Sequence, residues 1–301
     1  MRAKDFSGCH VPLVTPFNND HSLDEIGLRQ LVNHYIEAEK VDGLVPCGTT
    51  GESPTLTNKE HDRVIEIVVE ETNGRVPVIA GTGSNSTQEA VARTQHAEEA
   101  GADASLQVAP YYNRPTQGGL IAHFETVATA TNLPLILYNI PSRTGRNIDP
   151  STVLELANID NIVGIKDAAN DLGQTMEILR STALDSKPFY VLSGEDAMIY
   201  AMMCLGAHGT ISAVANVIGK EYTQMCRLLL GGDYVAARKI HYRTLPLVKA
   251  LFIESNPVPV KAALEMMGLP AGPPRLPLVP MSSFNRSVVE DTLREVGRLE
   301  S

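Results

Sequence analysis

Residues 133–140 read LPLILYNI, residues 150–158 read PSTVLELAN and residues 162–168 read IVGIKDA. The outer two runs are nearly continuous apolar stretches, the pattern of strands buried on both faces of a parallel sheet. The run between them reads as a helix. Strand, helix and parallel strand make one right-handed crossover unit. The same alternation extends in both directions. Further strands are expected at 10–16, 42–48, 76–83 and 104–110 before it, and at 189–195 and 209–216 after it. Helices are expected at 24–40, 57–72, 87–100, 118–131, 172–181 and 196–206. In the first, Ile26, Leu31, Val32, Tyr35 and Ile36 form one apolar stripe. Thr57-x-x-Glu60 is a capping-box pattern for the second. Gly101 is the expected stop of the third.

A right-handed series of eight such units closes as a barrel. The fold class expected is therefore α/β, a (β/α)8 TIM barrel. An open doubly wound sheet is the alternative, but no GxGxxG follows the first strand, so its dinucleotide-binding form loses support. After residue 216 the alternation stops. A helix at 217–231 would complete the barrel. Three more helices, at 233–254, 257–268 and 284–300, surround the Pro-rich loop 270–280 and form a C-terminal helical extension. The expected division is a catalytic barrel at 1–231 and a helical domain at 232–301.

Composition narrows the function. Of 301 residues, 43% are hydrophobic and 20% charged, so a large core forms and wholesale disorder is excluded. The formal net charge is −10 with no basic run, which argues against a nucleic-acid surface. No stretch approaches the roughly 18 apolar residues of a membrane span, and MRAKDFSGCH at 1–10 has no apolar signal core, so a cytoplasmic location is expected. Cys9, Cys47, Cys204 and Cys226 are scattered without CxxC, and no HExxH occurs. Neither a metal site nor a disulfide framework is expected.

A barrel of this kind carries its active site at the C-terminal ends of its strands. Lys166 is the most informative residue there. It follows Ile162, Val163, Gly164 and Ile165 in a strand that should be buried, and a buried ammonium is costly unless paired or neutral. Alone, it reads as a strand-end lysine reaching solvent or pairing with Asp167. The functional alternative is a neutral lysine that attacks a ketone. Tyr138 lies on the neighbouring strand. It reads as core with a satisfied hydroxyl, or as a proton-transfer group beside Lys166. Thr49 and Thr50 sit in a Gly-flanked turn, GTTGES at 48–53. That is an ordinary tight turn, or a cradle of N–H and O–H donors for a carboxylate. It lacks the P-loop lysine. Arg143 lies in a Pro/Gly loop, solvated or forked onto a substrate carboxylate. Tyr111 and Tyr112 are a loop pair in a chain with 5% aromatics.

Together these motifs resemble the dihydrodipicolinate synthase family, pyruvate-dependent class I aldolase-type barrels. The matching stretches run in order along nearly the whole chain. They include TPF at 15–17, GTTGES at 48–53, VIAGTGSN at 78–85, PYYNRPTQGG at 110–119, LYNIPSRTG at 137–145 and GIKDA at 164–168. LSGEDA at 192–197, GTISAVAN at 209–216 and NPVPVKAAL at 256–264 complete them. The resemblance implies that Lys166 forms a Schiff base with pyruvate and that Tyr138 shuttles protons. It implies that Thr49 and Tyr112 complete a hydroxyl relay, with Tyr112 reaching in from a neighbouring subunit. Thr50 would hold the pyruvate carboxylate and Arg143 the carboxylate of L-aspartate 4-semialdehyde. Gly194 and Ile211 would line the pyruvate pocket. The product implied is 4-hydroxy-tetrahydrodipicolinate, a step of lysine and diaminopimelate biosynthesis. Neither metal nor organic cofactor is implied.

The resemblance also implies a homotetramer built from dimers, and a lysine-binding cleft from Ser53, Leu56, His61, Asn85, Glu89 and Tyr111. Pro54 and Asn58 depart from that cleft's usual pattern. The arginine of SRTG favours the synthase over its sisters, N-acetylneuraminate lyase and the 2-keto-3-deoxy sugar-acid aldolases. A sensor barrel that binds a keto acid without turnover, and a phosphate-binding isomerase, fit these residues less well.

Overall fold

The computed structural model describes residues 5–183 and 187–300. Residues 1–4 and 301, at the outer limits of the two expected domains, lie outside the described residues. Eight strands are present among the described residues: β1 (Gly8–Pro12), β2 (Gly43–Val45), β3 (Ile79–Gly81), β4 (Ala104–Val108), β5 (Leu135–Asn139), β6 (Ile162–Asp167), β7 (Tyr190–Ser193) and β8 (Gly209–Ile211). All pair in parallel, in the order β2-β1-β8-β7-β6-β5-β4-β3. A parallel bridge between Leu44 and Val78, and a hydrogen bond from the Gly81 N–H to the Pro46 carbonyl at 2.9 Å, bring β3 back to β2. The expected barrel is the observed one.

Helices α1 (Glu25–Glu37), α2 (Asn58–Thr72), α3 (Thr87–Ala100) and α4 (Gln117–Thr129) follow the first four strands. The capping box at Thr57 and Glu60 is formed, and Gly101 ends α3 with a φ of 88°. After β5 come a four-residue helix, α5 (Pro141–Thr144), and then α6 (Pro150–Ala157). Helix α7 (Leu172–Thr182) follows β6, α8 (Ile199–Cys204) follows β7, and α9 (Ala215–Leu230) follows β8. The extension is α10 (Tyr234–Leu251), α11 (Val258–Met266) and α12 (Ser283–Glu295). No helix among the described residues is long and apolar enough to cross a membrane.

The period-two alternation of strand side chains builds two cores. Leu135 and Leu137 of β5 and Ile165 of β6 point outward, into the layer between strands and helices. Ile136 and Tyr138 point inward, with Leu106, Leu192 and Ile211. The outer layer is continuous with the extension, since Leu247, Val260 and Leu293 belong to the same cluster as Val217 and Leu229.

Three expectations shift. The first strand begins at Gly8, because Gly8 pairs with Gly209 so closely that a Cβ on Gly209 would lie 2.0 Å from the Gly8 carbonyl oxygen. A reading that starts at the apolar run misses a glycine-led start. Ile26, expected on the buried stripe, is 73% exposed, and Leu28 is buried instead. Ile26 lies in the first turn of α1, beside Glu25, whose carboxylate pairs outward with Arg63. The helix expected at 196–206 is a 3-10 turn at Asp196–Met198 followed by the shorter α8.

Candidate active site

Lys166 stands on β6 in register with Tyr138 of β5 and Leu192 of β7. It is buried, and its Nζ lies 4.1 Å from the centre of the Tyr138 ring. The next residues on each strand, Asn139 and Asp167, face the other way. Asn139 donates to Asp167 at 3.2 Å, and Thr175 donates to the same carboxylate at 3.0 Å. Strand parity therefore turns Asp167 away from Lys166, and the pairing alternative for the lysine does not occur. Burial pushes the Asp167 carboxyl up from its ordinary value. Gly194, after β7, leaves room for the lysine stem: a Cβ there would lie 2.8 Å from Lys166 Cε.

A cavity of about 180 Å³ at the C-terminal ends of the strands is lined by Thr49, Thr50, Tyr138, Arg143, Lys166, Gly194 and Ile211, among others. Seven of the expected residues thus share one chamber. A second chamber of about 230 Å³ shares Thr49, Tyr138 and Arg143 with the first and extends to Ser53 and Tyr111. No hydrogen bond joins Tyr138 to Thr49 within the described residues. Tyr112 lines neither chamber. It is 91% exposed at a φ of 67°. Its loop is tied on both sides, by Asn113 donating to the Asn85 carbonyl at 2.8 Å and Arg114 Nε donating to the Gly145 carbonyl at 3.0 Å.

Asp196, Asn256 and the Glu52–Lys261 pair, in or beneath the chamber, carry no role among the expectations from sequence. Asp196 lines the cavity and accepts from the Ser212 hydroxyl. Burial pushes its carboxyl up to about 6, although the Ser212 hydrogen bond and the Lys166 charge pull it down. Asn256 donates from Nδ2 to Thr50 Oγ1 at 3.0 Å. Beneath GTTGES, Glu52 is buried at a φ of 54° and pairs with buried Lys261 of α11 at 2.7 Å. Lys261 also donates to the carbonyls of Thr15 and Pro273, and Arg275 gives its N–H to the second Glu52 oxygen at 2.9 Å. A signal for Lys261 was present: a lysine inside the apolar run VPVKAAL poses the same burial problem as Lys166.

The sequence model of the Dihydrodipicolinate synthetase family matches residues 5–296. This chain belongs to that family. A 4-hydroxy-tetrahydrodipicolinate synthase of Syntrophobacter fumaroxidans is 50% identical over 97% of this chain and 99% of its own. The crystal structure of dihydrodipicolinate synthase from Aquifex aeolicus superposes with a TM-score of 0.93 at 45% identity, over 96% of this chain and 98% of that one. The chloride-inhibited dihydrodipicolinate synthase from Acinetobacter baumannii, solved in complex with pyruvate, has a TM-score of 0.94 at 42% identity, over 98% and 100%.

The residues expected to form a lysine cleft are spread over several environments in this member of the dihydrodipicolinate synthetase family. Ser53 and Tyr111 line the second chamber. Leu56 and His61 are buried, and His61 bonds the Gly81 carbonyl at 2.9 Å. Glu89 lines a separate surface cleft with Asn58 and Arg93. Its carboxylate already accepts from Ser84 and pairs with Arg93 at 2.9 Å.

Proposed function

We infer that this protein is a 4-hydroxy-tetrahydrodipicolinate synthase, condensing pyruvate with L-aspartate 4-semialdehyde. The observation that carries the mechanism is Lys166, buried on the barrel interior against Tyr138 at the wall of a small chamber. Neutral Lys166 adds to the pyruvate ketone, and water leaves as the imine forms. The protonated imine is an electron sink, so a methyl proton is lost and an enamine results. The enamine carbon attacks the aldehyde. The substrate amine then displaces Lys166, closing the ring and returning the free lysine.

In this proposal Tyr138 moves protons at the imine, with Thr49 and a neighbouring copy's Tyr112 as relay. Thr50 holds the pyruvate carboxylate, Arg143 the aldehyde's carboxylate, and Gly194 and Ile211 shape the pocket. The exposed Tyr112 loop supports a dimer at least, and exposed Leu205 at the end of α8, Leu230 at the end of α9 and Tyr234 and Tyr242 on α10 supply apolar side chains for a second contact. We propose a dimer of dimers, with 1–231 as catalytic barrel and 232–301 as a helical domain that buttresses it. Lysine feedback through the set Ser53, Leu56, His61, Asn85, Glu89 and Tyr111 is proposed with them. A ligand ammonium there competes with Arg93 for Glu89, and activity unchanged in millimolar lysine would exclude it.

The reaction is tested by turnover with pyruvate and each aldehyde. Aspartate semialdehyde should be the productive partner, and aldehydes of sugar type should be poor ones. Arg143→Ala should raise KM for aspartate semialdehyde by about tenfold to a hundredfold, the scale of a lost guanidinium–carboxylate fork, and leave pyruvate use nearly intact. An unchanged KM for the aldehyde would remove Arg143 from this role.

A further inference from the structure

We propose that Asn256, in the turn between α10 and α11 of the C-terminal extension, is a positioning residue. It aims the Thr50 hydroxyl at the pyruvate carboxylate and ties that donor to Arg143. The proposal rests on the Schiff-base reading above and deepens it. Asn256 and Thr50 are both buried, and both line the chamber that holds Lys166. The Asn256 amide nitrogen lies 3.0 Å from Thr50 Oγ1. An amide N–H only donates, and a hydroxyl has one proton and two lone pairs. With a lone pair taken by Asn256, the Thr50 proton is left to point elsewhere, and the chamber is where an anionic acceptor arrives. The Asn256 backbone carbonyl accepts from Arg143 at 3.4 Å. One residue therefore touches both carboxylate-binding groups, through its side chain on one and its backbone on the other.

The segment that carries Asn256 is itself fixed. Five residues on, Lys261 is locked to Glu52 at 2.7 Å, and Glu52 closes the same turn that presents Thr49 and Thr50. The amide oxygen of Asn256 is buried, and among the described residues it has no partner and the Thr50 contact is the only hydrogen bond of this side chain. The extension thereby reaches both carboxylate-binding groups through Asn256, by Nδ2 on Thr50 and by the backbone carbonyl on Arg143.

The test is pyruvate kinetics in Asn256→Ala, Asn256→Asp, Thr50→Val and the double variant Asn256→Ala/Thr50→Val. Asn256→Ala should raise the pyruvate KM about tenfold, the worth of one charge-assisted hydrogen bond, with kcat changed much less. Aspartate is nearly isosteric, but its carboxylate only accepts, so it turns the Thr50 proton away and sets a negative charge beside the substrate. Asn256→Asp should therefore be worse than Asn256→Ala, by about a further tenfold. In the Thr50→Val background, Asn256→Ala should add little. A packing role predicts the reverse order, with aspartate the milder change, and effects that multiply; either result overturns the proposal. If Asn256→Ala does not fold, Asn256→Ser replaces it with the same expected direction. Borohydride trapping of the unmodified enzyme separates the two levels. A pyruvate adduct on Lys166 with no effect of Asn256 variants defeats only this proposal, whereas no adduct defeats the reading beneath it as well.

Discussion

Lys166 acts as a nucleophile only when neutral, and only an amine nitrogen can form the imine. Lys166→Arg keeps a cation on β6 but supplies a guanidinium that stays protonated. Turnover should fall roughly a thousandfold or more with the fold intact, as nucleophile removals do. Steady-state rates beside a thermal melt check this, and a variant that retains near-normal rates contradicts the assignment. The position was legible because an ammonium after Ile162–Ile165 had to be explained. What the sequence did not reveal at this scale were partners set by distant chain. Asn256 meets Thr50 across 206 positions, and Lys261 meets Glu52 across 209.

At the level of elements, strand parity does most of the work. On β5 and β6 the same rung carries Tyr138 and Lys166 inward, and the next rung carries Asn139 and Asp167 outward. All eight strands and the helical extension were readable from apolar runs and caps. The short α5 was not, because four residues of PSRT give no periodicity, yet α5 is what aims Arg143. The helix α11 is held to the barrel by the Glu52–Lys261 pair. Removing one partner of a buried pair strands the other charge. Lys261→Met should cost about 3–5 kcal/mol, measured by urea unfolding, and Glu52→Gln/Lys261→Met together should cost less than Lys261→Met alone. A double-variant loss equal to the sum of the two single-variant losses would mean that the pair is not coupled.

Acid sensitivity is a property of the whole molecule. Burial, aided by Arg93, pushes His61 down to about 4, and burial alone pushes His123 down to about 4. In the unfolded chain both titrate near about 6.5. The folded state therefore binds these protons less readily. The stability contributed by keeping them neutral is fully present above pH 6.5 and is lost as pH falls toward 4. For His61 the loss is about 3 kcal/mol by linkage. His61→Gln should flatten the fall in urea midpoint between pH 7 and pH 4.5, and an unchanged slope would contradict the buried neutral ring. Assembly is tested at the same scale. Mixing inactive Tyr112→Phe with inactive Lys166→Arg should restore partial activity if Tyr112 serves a neighbouring copy's chamber. No recovery in mixed oligomers would confine Tyr112 to its own chain.

The most direct measurement is borohydride reduction of the protein in the presence of pyruvate, followed by peptide mass mapping. The expected result is one pyruvate-derived adduct, on Lys166. Folded protein that yields no adduct, or an adduct on another lysine, would contradict the Schiff-base mechanism.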